Sequence, residues 1–554
     1  MKTILTSIMT TALLIAACGG QAEEATAEAS PLDVMPDASL FSMAIVDPAA
    51  VVTALDSYAA GVPLLGENAI SGWVLSALDC ADMSEVDSKL GIRTEGGLSV
   101  YMESMMPQSI GAALTVSDID TFWANIGIAP AEAEPLEGYS VSSIPVDFGS
   151  IYFCHTNGLL LAAGSRAGLQ SMLARIDGRM PQGLPDIPEG SIYMYTNVET
   201  FGPMVATQLE MIKPQLMAEM NAEGELDMNM MQGVMGLYFD AIGLVLNDTR
   251  SWHSVLTFGP EYITGTSSVE YIPGSTLDQY LVPVEPEDMT GLVPAGDVMI
   301  ARVSIDPETS RAAINAVFQA MGITGIPQEM VDFWAESARN TAMSMVYDPN
   351  TPMHLVGVYD TPEGTTLEEV KNAYDMQFQM MGDFLSMPGL ELVPVEYSQY
   401  MDREWISFGM TMDMTEMIPD TAQMEEAPVN PEISWTAWMT LHEGVLYIEM
   451  APEPATVASM LDGSYQGPYA SDMPEMAGMP ASSEIVFLLN LPGYLNTAMG
   501  LSGLAMPPVD SEPVWMEMEV DLAQGGMSSS FSVSGTDLSA FVGKAIQTFG
   551  AMAE

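Results

Sequence analysis

The sequence predicts an α+β fold: two tandem homologous halves, each mainly antiparallel sheet with helices packed on one face. Three observations lead there. Blocks of sequence recur in the same order in the two halves. Segments with strand-like alternation outnumber the helical crossovers that a purely parallel sheet requires. Hydrophobic residues make up 48% of the 554 residues, enough for more than one core.

The recurring blocks set the organisation. Pro36-Asp37-Ala38-Ser39-Leu40-Phe41-Ser42-Met43-Ala44-Ile45-Val46-Asp47-Pro48 has a counterpart running from Pro294 through Val303-Ser304-Ile305-Asp306-Pro307. Both pass from a proline through an apolar strand into Asp-Pro and then a helical pattern. Asp caps the first free amides of a helix, and Pro at the first helical position has no amide to leave unsatisfied. A second match pairs Gly158-Leu159-Leu160-Leu161, Ser171-Met172-Leu173 and Asp177-Gly178 with Gly444-Val445-Leu446-Tyr447, Ser459-Met460-Leu461 and Asp462-Gly463. A third pairs Ser267-Ser268-Val269-Glu270-Tyr271 with Ser529-Ser530-Phe531-Ser532-Val533, each leading to a Gly and a helix start. A fainter echo links Pro188 through Ile192 to Asn197 with Pro480 through Ile485 to Asn490, suggesting two related strand-then-helix units per half. The halves are read as 31–283 and 288–554, hinged near Val282-Pro283-Val284-Glu285-Pro286-Glu287.

Within this frame, Tyr139 to Phe148 and Met516 to Leu522 read as half-buried strands. His253 to Phe258 and Tyr262 to Val269 flank Gly259-Pro260 as a hairpin. Helical patterns cover Pro48 to Ala60, Arg166 to Ile176, Thr309 to Met321 and Leu367 to Met381. Met211–Met235 and Met410–Pro431 read as irregular, the second as an exposed insertion.

Charge narrows the function classes. Lys and Arg number 14 against 74 Asp and Glu, a net charge of −60. Such a surface repels nucleic acid and anionic headgroups, because phosphate binding needs clustered Lys and Arg. The acidic residues are spread along the chain, as in proteins kept soluble in high salt.

The first residues carry an address. Lys2 supplies a positive start, Ile8 to Ile15 is a short apolar run, and Ile15-Ala16-Ala17-Cys18 closes it with small residues. This is the layout of a secretory signal peptide over residues 1–17, and its last four residues resemble the lipobox of bacterial lipoproteins. The resemblance implies cleavage before Cys18, acylation of Cys18, and anchorage in the bacterial cell envelope. Gly19 after the cysteine points to the outer membrane by the sorting habits of that class. Residues 18–30 are small and acidic and read as a flexible tether. Only Cys80 and Cys154 remain. In an exported chain they suggest one disulfide, whose loop closure contributes roughly 4 kcal/mol in the chain-entropy picture.

No catalytic signature stands out. His155, His253, His354 and His442 show no metal-ligand spacing. There is no Gly-x-Ser-x-Gly elbow, P-loop or dinucleotide fingerprint, and no cofactor is expected. Cys154 and His155 are neighbours on a strand, so they point to opposite faces. Methionine is abundant, at 48 residues. The clusters Met410, Met412, Met414 and Met473, Met476, Met479 have the spacing of thioether arrays that capture Cu(I), although Met also serves as adaptable core filler. The leading reading is a membrane-anchored, non-enzymatic lipoprotein that binds a hydrophobic ligand or a protein partner. The alternatives are a Met-rich Cu(I)-handling protein and a hydrolase using two carboxyls about 5 to 10 Å apart. If the acidic surface is a salt adaptation, the melting temperature rises across a salt series; equal melting at low and high salt contradicts it.

Overall fold

The structure is a computed structural model describing residues 30–36, 39–62, 65–66, 68–127, 131–146, 149–180, 187–188, 190–222, 228–320, 326–347, 354–382, 390–413, 432–501 and 507–553. The chain gathers into two compact units. The first comprises Met1–Gly202, Thr249–Glu270 and Ser532–Gly543; the second comprises Pro203–Asp248, Tyr271–Phe531 and Lys544–Glu554.

The first half begins with a helical turn, Pro31–Val34, then β1 (Phe41–Val46), α1 (Pro48–Ala59), α2 (Ala69–Ala77) and α3 (Met83–Leu90). There follow β2 (Leu98–Met102), β3 (Ile110–Thr115), α4 (Ile119–Ile126), β4 (Glu134–Leu136), β5 (Tyr139–Val146), β6 (Gly149–Thr156), β7 (Leu159–Ala163) and α5 (Arg166–Ile176). It ends with β8 (Ser191–Thr196), α6 (Val198–Ala222), α7 (Met228–Asp248), β9 (Thr249–Phe258), β10 (Tyr262–Tyr271) and α8 (Thr276–Tyr280). The sheet order is β10-β9-β8-β1-β2-β3-β7-β6-β5-β4.

The second half has β11 (Met299–Ser304), α9 (Pro307–Ala320), α10 (Gln328–Ser337), β12 (Asn340–Val346), β13 (His354–Asp360) and α11 (Leu367–Gly382). It continues with β14 (Leu390–Tyr400), β15 (Arg403–Asp413), β16 (Glu432–His442), β17 (Val445–Met450), α12 (Ala455–Leu461) and α13 (Pro474–Gly478). It closes with β18 (Ile485–Asn490), α14 (Leu491–Leu501), β19 (Trp515–Ala523), β20 (Gly526–Ser534) and α15 (Gly535–Ala553). Its order, β20-β19-β18-β11-β12-β13-β17-β16-β15-β14, reproduces that of the first half strand for strand. The fold is α+β with antiparallel sheets.

A smaller repeat lies inside each half. Strand, helix, strand, strand, helix describes β1 through α4, β8 through α8, β11 through α11, and β18 through α15. Two such quarters meet through β1 and β8, and two through β11 and β18. The Asp-Pro starts behave as capping predicts. Asp47 Oδ1 accepts from Ala50 N–H at 3.0 Å, and Asp306 Oδ2 accepts from Glu308 N–H at 2.9 Å. The matched glycine turns share a left-handed geometry that suits two-residue hairpins: Asn157 and Gly158 at φ 50° and 74°, Glu443 and Gly444 at 51° and 83°.

Alternation along the strands builds a core on each side of the sheet. Leu159, Leu161 and Ala163 of β7 pack with Leu169, Met172 and Leu173 of α5, while Leu160 turns to the opposite face with Phe122 of α4. In β17 the same alternation places Tyr447 with Val457 and Ala458 of α12, and Leu446 and Ile448 with Val370 of α11. The smaller helices α5 and α12 therefore cover a second sheet face, in addition to the face the longer helices cover.

Three expectations change. Residues 410–413, read as the start of an irregular insertion, complete strand β15. The segment Met211–Met235, read as irregular, is helical where described, within α6 and α7. The expected Cys80–Cys154 disulfide is absent, and both thiols are free. Cys154 is committed to the first core, opposite Val141 and Leu161, while Cys80 lies past the end of α2. Residues 414–431 and Cys18 lie outside the described residues. Replacing Leu161 by Ala empties a fully buried position between sheet and α5, and is expected to cost about 2–5 kcal/mol in chemical denaturation.

Candidate functional site

The most chemically suggestive cluster sits at the end of β17. Glu449 is buried, and its carboxylate accepts from Thr456 N–H at 3.2 Å through Oε1 and from Val457 N–H at 2.8 Å through Oε2. His354 Nε2 lies 3.2 Å from the same Oε1 and 3.4 Å from Thr456 Oγ1. Hydroxyl, imidazole and carboxylate thus meet, as they do in nucleophile triads. A triad, however, uses one ring nitrogen toward the nucleophile and the other toward the carboxylate. Here one nitrogen faces both. The sequence explains the arrangement: α12 begins after Pro454, which has no side-chain acceptor, and the strand carboxylate caps the helix instead. In the first half Ser165 does this locally, accepting from Gly168 N–H at 3.1 Å.

Two other places hold carboxyls displaced upward. Burial raises Asp87, against the opposing pull of the Thr94 N–H at 3.2 Å; burial raises Glu95, helped by the charges of Asp47 and Asp87. On β19, burial and then the charges of Glu475 and Glu519 raise Glu517. Glu517 and Glu519 stand opposite Leu488 and Val486, so they share the sheet face of those core residues. Among the described residues no group of three or more His, Cys, Asp or Glu is arranged to hold a metal ion.

The remaining sequence candidates separate. His155 is exposed while Cys154 is buried, on opposite faces as alternation requires. Burial pushes the Cys154 thiol up to about 11, which keeps it protonated and unreactive. Cys80, also raised mainly by burial, has its Sγ 3.5 Å from the Leu78 carbonyl. Met476 is buried in the second core, with Met473 and Met479 packed against it, so these three thioethers have core roles. Met410 and Met412 lie within strand β15, while Met414 is outside the described residues.

The feature that sequence reading missed is the helix pair α6 and α7. Over Met228–Asp248, α7 carries charge only at Asp240 and Asp248. Phe239 turns inward, yet Tyr238, Leu244 and Val245 stand exposed on the same helix. On α6, Met204 and Ile212 are exposed and Met211 reaches 67% exposure. Lys213 of α6 pairs with Asp240 of α7. Several large apolar side chains left exposed on neighbouring helices mark a surface suited to an apolar partner. α6 carries Pro203 and Pro214 in its interior, where proline ordinarily interrupts a helix, so its pattern is hard to see in the sequence.

No protein-family model matches the chain, and no curated protein matches it. Among solved structures, crystal form I of TP0453 aligns at TM-score 0.23 and 12% identity, covering 45% of this chain and 81% of that one. Crystal form III aligns at 0.22 and 11%, covering 48% and 91%. Likeness at that level carries no argument.

Glu517 supplies a pH test. Its folded-state value lies above the ordinary 4.5, so its ionisation opposes folding. The stability linked to it is complete below that ordinary value and is lost as pH rises through the folded value. Glu517→Gln is expected to raise the melting temperature at pH 7 and to leave it unchanged near pH 3.5; a gain that persists at low pH contradicts the assignment.

Proposed function

We propose that the protein is an envelope lipoprotein, acylated at Cys18, with a non-enzymatic role in binding a hydrophobic ligand or a protein partner. The observation that carries the binding role is the exposed apolar surface of α6 and α7. Met211, Ile212, Tyr238, Leu244 and Val245 put flexible and aromatic side chains on one helix pair. Methionine-rich surfaces adapt to varied apolar partners because the unbranched thioether repacks readily. The net charge of −60 sets the partner's character, excluding nucleic acid and favouring neutral or basic apolar bodies. No helix among the described residues is long and apolar enough to cross a membrane, so in this reading the lipid at Cys18 supplies the anchor.

The same surface defines the experiment. Nile red, a neutral apolar dye, should bind the mature chain with enhanced, blue-shifted emission. The double variant Met211→Glu/Val245→Glu should lose more than half of that signal while its circular dichroism stays unchanged. Equal dye binding by both proteins removes the α6–α7 surface from the proposal. Cys18→Ala should release the protein from the membrane fraction; retention there would refute the lipid anchor.

A further inference from the structure

We propose that the first unit holds a small inorganic anion, chloride in saline surroundings, against the guanidinium of Arg175 in its core. Arg175 lies in the last turn of α5 and is only 5% exposed, and its Nη1 has no hydrogen-bond partner. Leu169, Met172 and Leu173 of the same helix are buried in the first core together with Tyr101, which is 1% exposed and feels the charge of Glu103 and, less strongly, that of the Arg175 guanidinium.

A buried ion needs a counter-charge, and arginine is the one basic side chain that cannot escape by losing its proton. Elsewhere among the described residues arginines find partners from within, although Arg302 Nε is likewise unpartnered. Arg302, 2% exposed, donates from Nη2 to the carbonyls of Pro480 at 2.7 Å and Ser483 at 3.1 Å, with Asp288 4.0 Å from Nη1. Arg166 pairs with Glu134, Arg179 with Glu137, and Arg311 with Asp332. Arg175 forms no such pair among the described residues, in a chain with 74 acidic residues to draw on.

Two further features point to a ligand of this class. Arg175 is not inherited with the shared scaffold. In the second half the helix stops at Leu461 and passes directly to Asp462-Gly463, whereas α5 continues through Ala174-Arg175-Ile176 before Asp177-Gly178. Halide ions also tolerate apolar surroundings once a guanidinium and a hydroxyl supply the polar contacts, and Tyr101 offers the hydroxyl.

The test separates this anion from a general salt effect. Thermal unfolding of the full mature chain is followed at constant ionic strength while sodium gluconate is exchanged for sodium chloride. The expected result is a saturable rise in melting temperature of about 2–4 °C, the size of shift that one modest site produces. Arg175→Met should abolish the chloride-specific rise and keep the response to total ionic strength. Identical melting of the wild-type protein in the two salts overturns the proposal, as does a rise that survives in Arg175→Met. If Arg175→Met does not fold, crystals of the wild-type protein grown in bromide decide the matter. An anomalous peak within hydrogen-bond distance of Arg175 Nη1 supports the site, and its absence overturns it.

Discussion

Both halves depend on one joint, the antiparallel pairing of a first strand with the first strand of the following quarter. β1 is hydrogen-bonded on both sides, aligning Phe41 with Met102 on β2 and with Thr196 on β8. β11 is held in the same way between β12 and β18. With both edges satisfied, the strand cannot slip by one residue without moving every side chain to the wrong face. That lock sends Ala44 toward α5 and Ile45 toward α1. The neighbouring strands inherit their alternation from it, and the helices settle on whichever face the alternation leaves apolar.

Much of this was legible because it is local. Asp-Pro marks, glycine turns and strand alternation act over a few residues, and they placed α5 at its observed bounds, Arg166–Ile176. The fainter echo between Asn197 and Asn490 marks the junctions of β8 with α6 and β18 with α14. What escaped depends on partners distant in sequence or on the lack of a period. A helix such as α7, with Tyr238, Leu244 and Val245 exposed beside buried Phe239, does not gather its apolar residues into one stripe. Cysteine parity says nothing about direction, and Cys154 points into a core that Cys80 does not share. The role of Glu449 follows from Pro454 only once the fold has brought strand and helix start together.

The buried polar groups show how a very acidic chain builds dry interiors. Glu449 and Glu484 are both buried, and each spends its two oxygens on backbone amides. For Glu484 these belong to Val284 at 3.3 Å and Leu522 at 2.8 Å. Such carboxylates act as structural connectors, tying segments that are far apart in sequence. A constellation that looks catalytic by composition can therefore be fully occupied by the backbone.

The interval between the first and second strand of each quarter has a consequence for how such proteins diversify. It holds three helices between β1 and β2, the long pair α6 and α7 between β8 and β9, two helices between β11 and β12, and the single α14 between β18 and β19. The strands on either side keep the same pairing in every case. The scaffold thus offers four interchangeable sockets whose contents can lengthen, shorten or acquire a new surface while the sheet is untouched. In this chain the second socket carries a long helix pair with exposed apolar side chains, a new surface added without disturbing the strands around it.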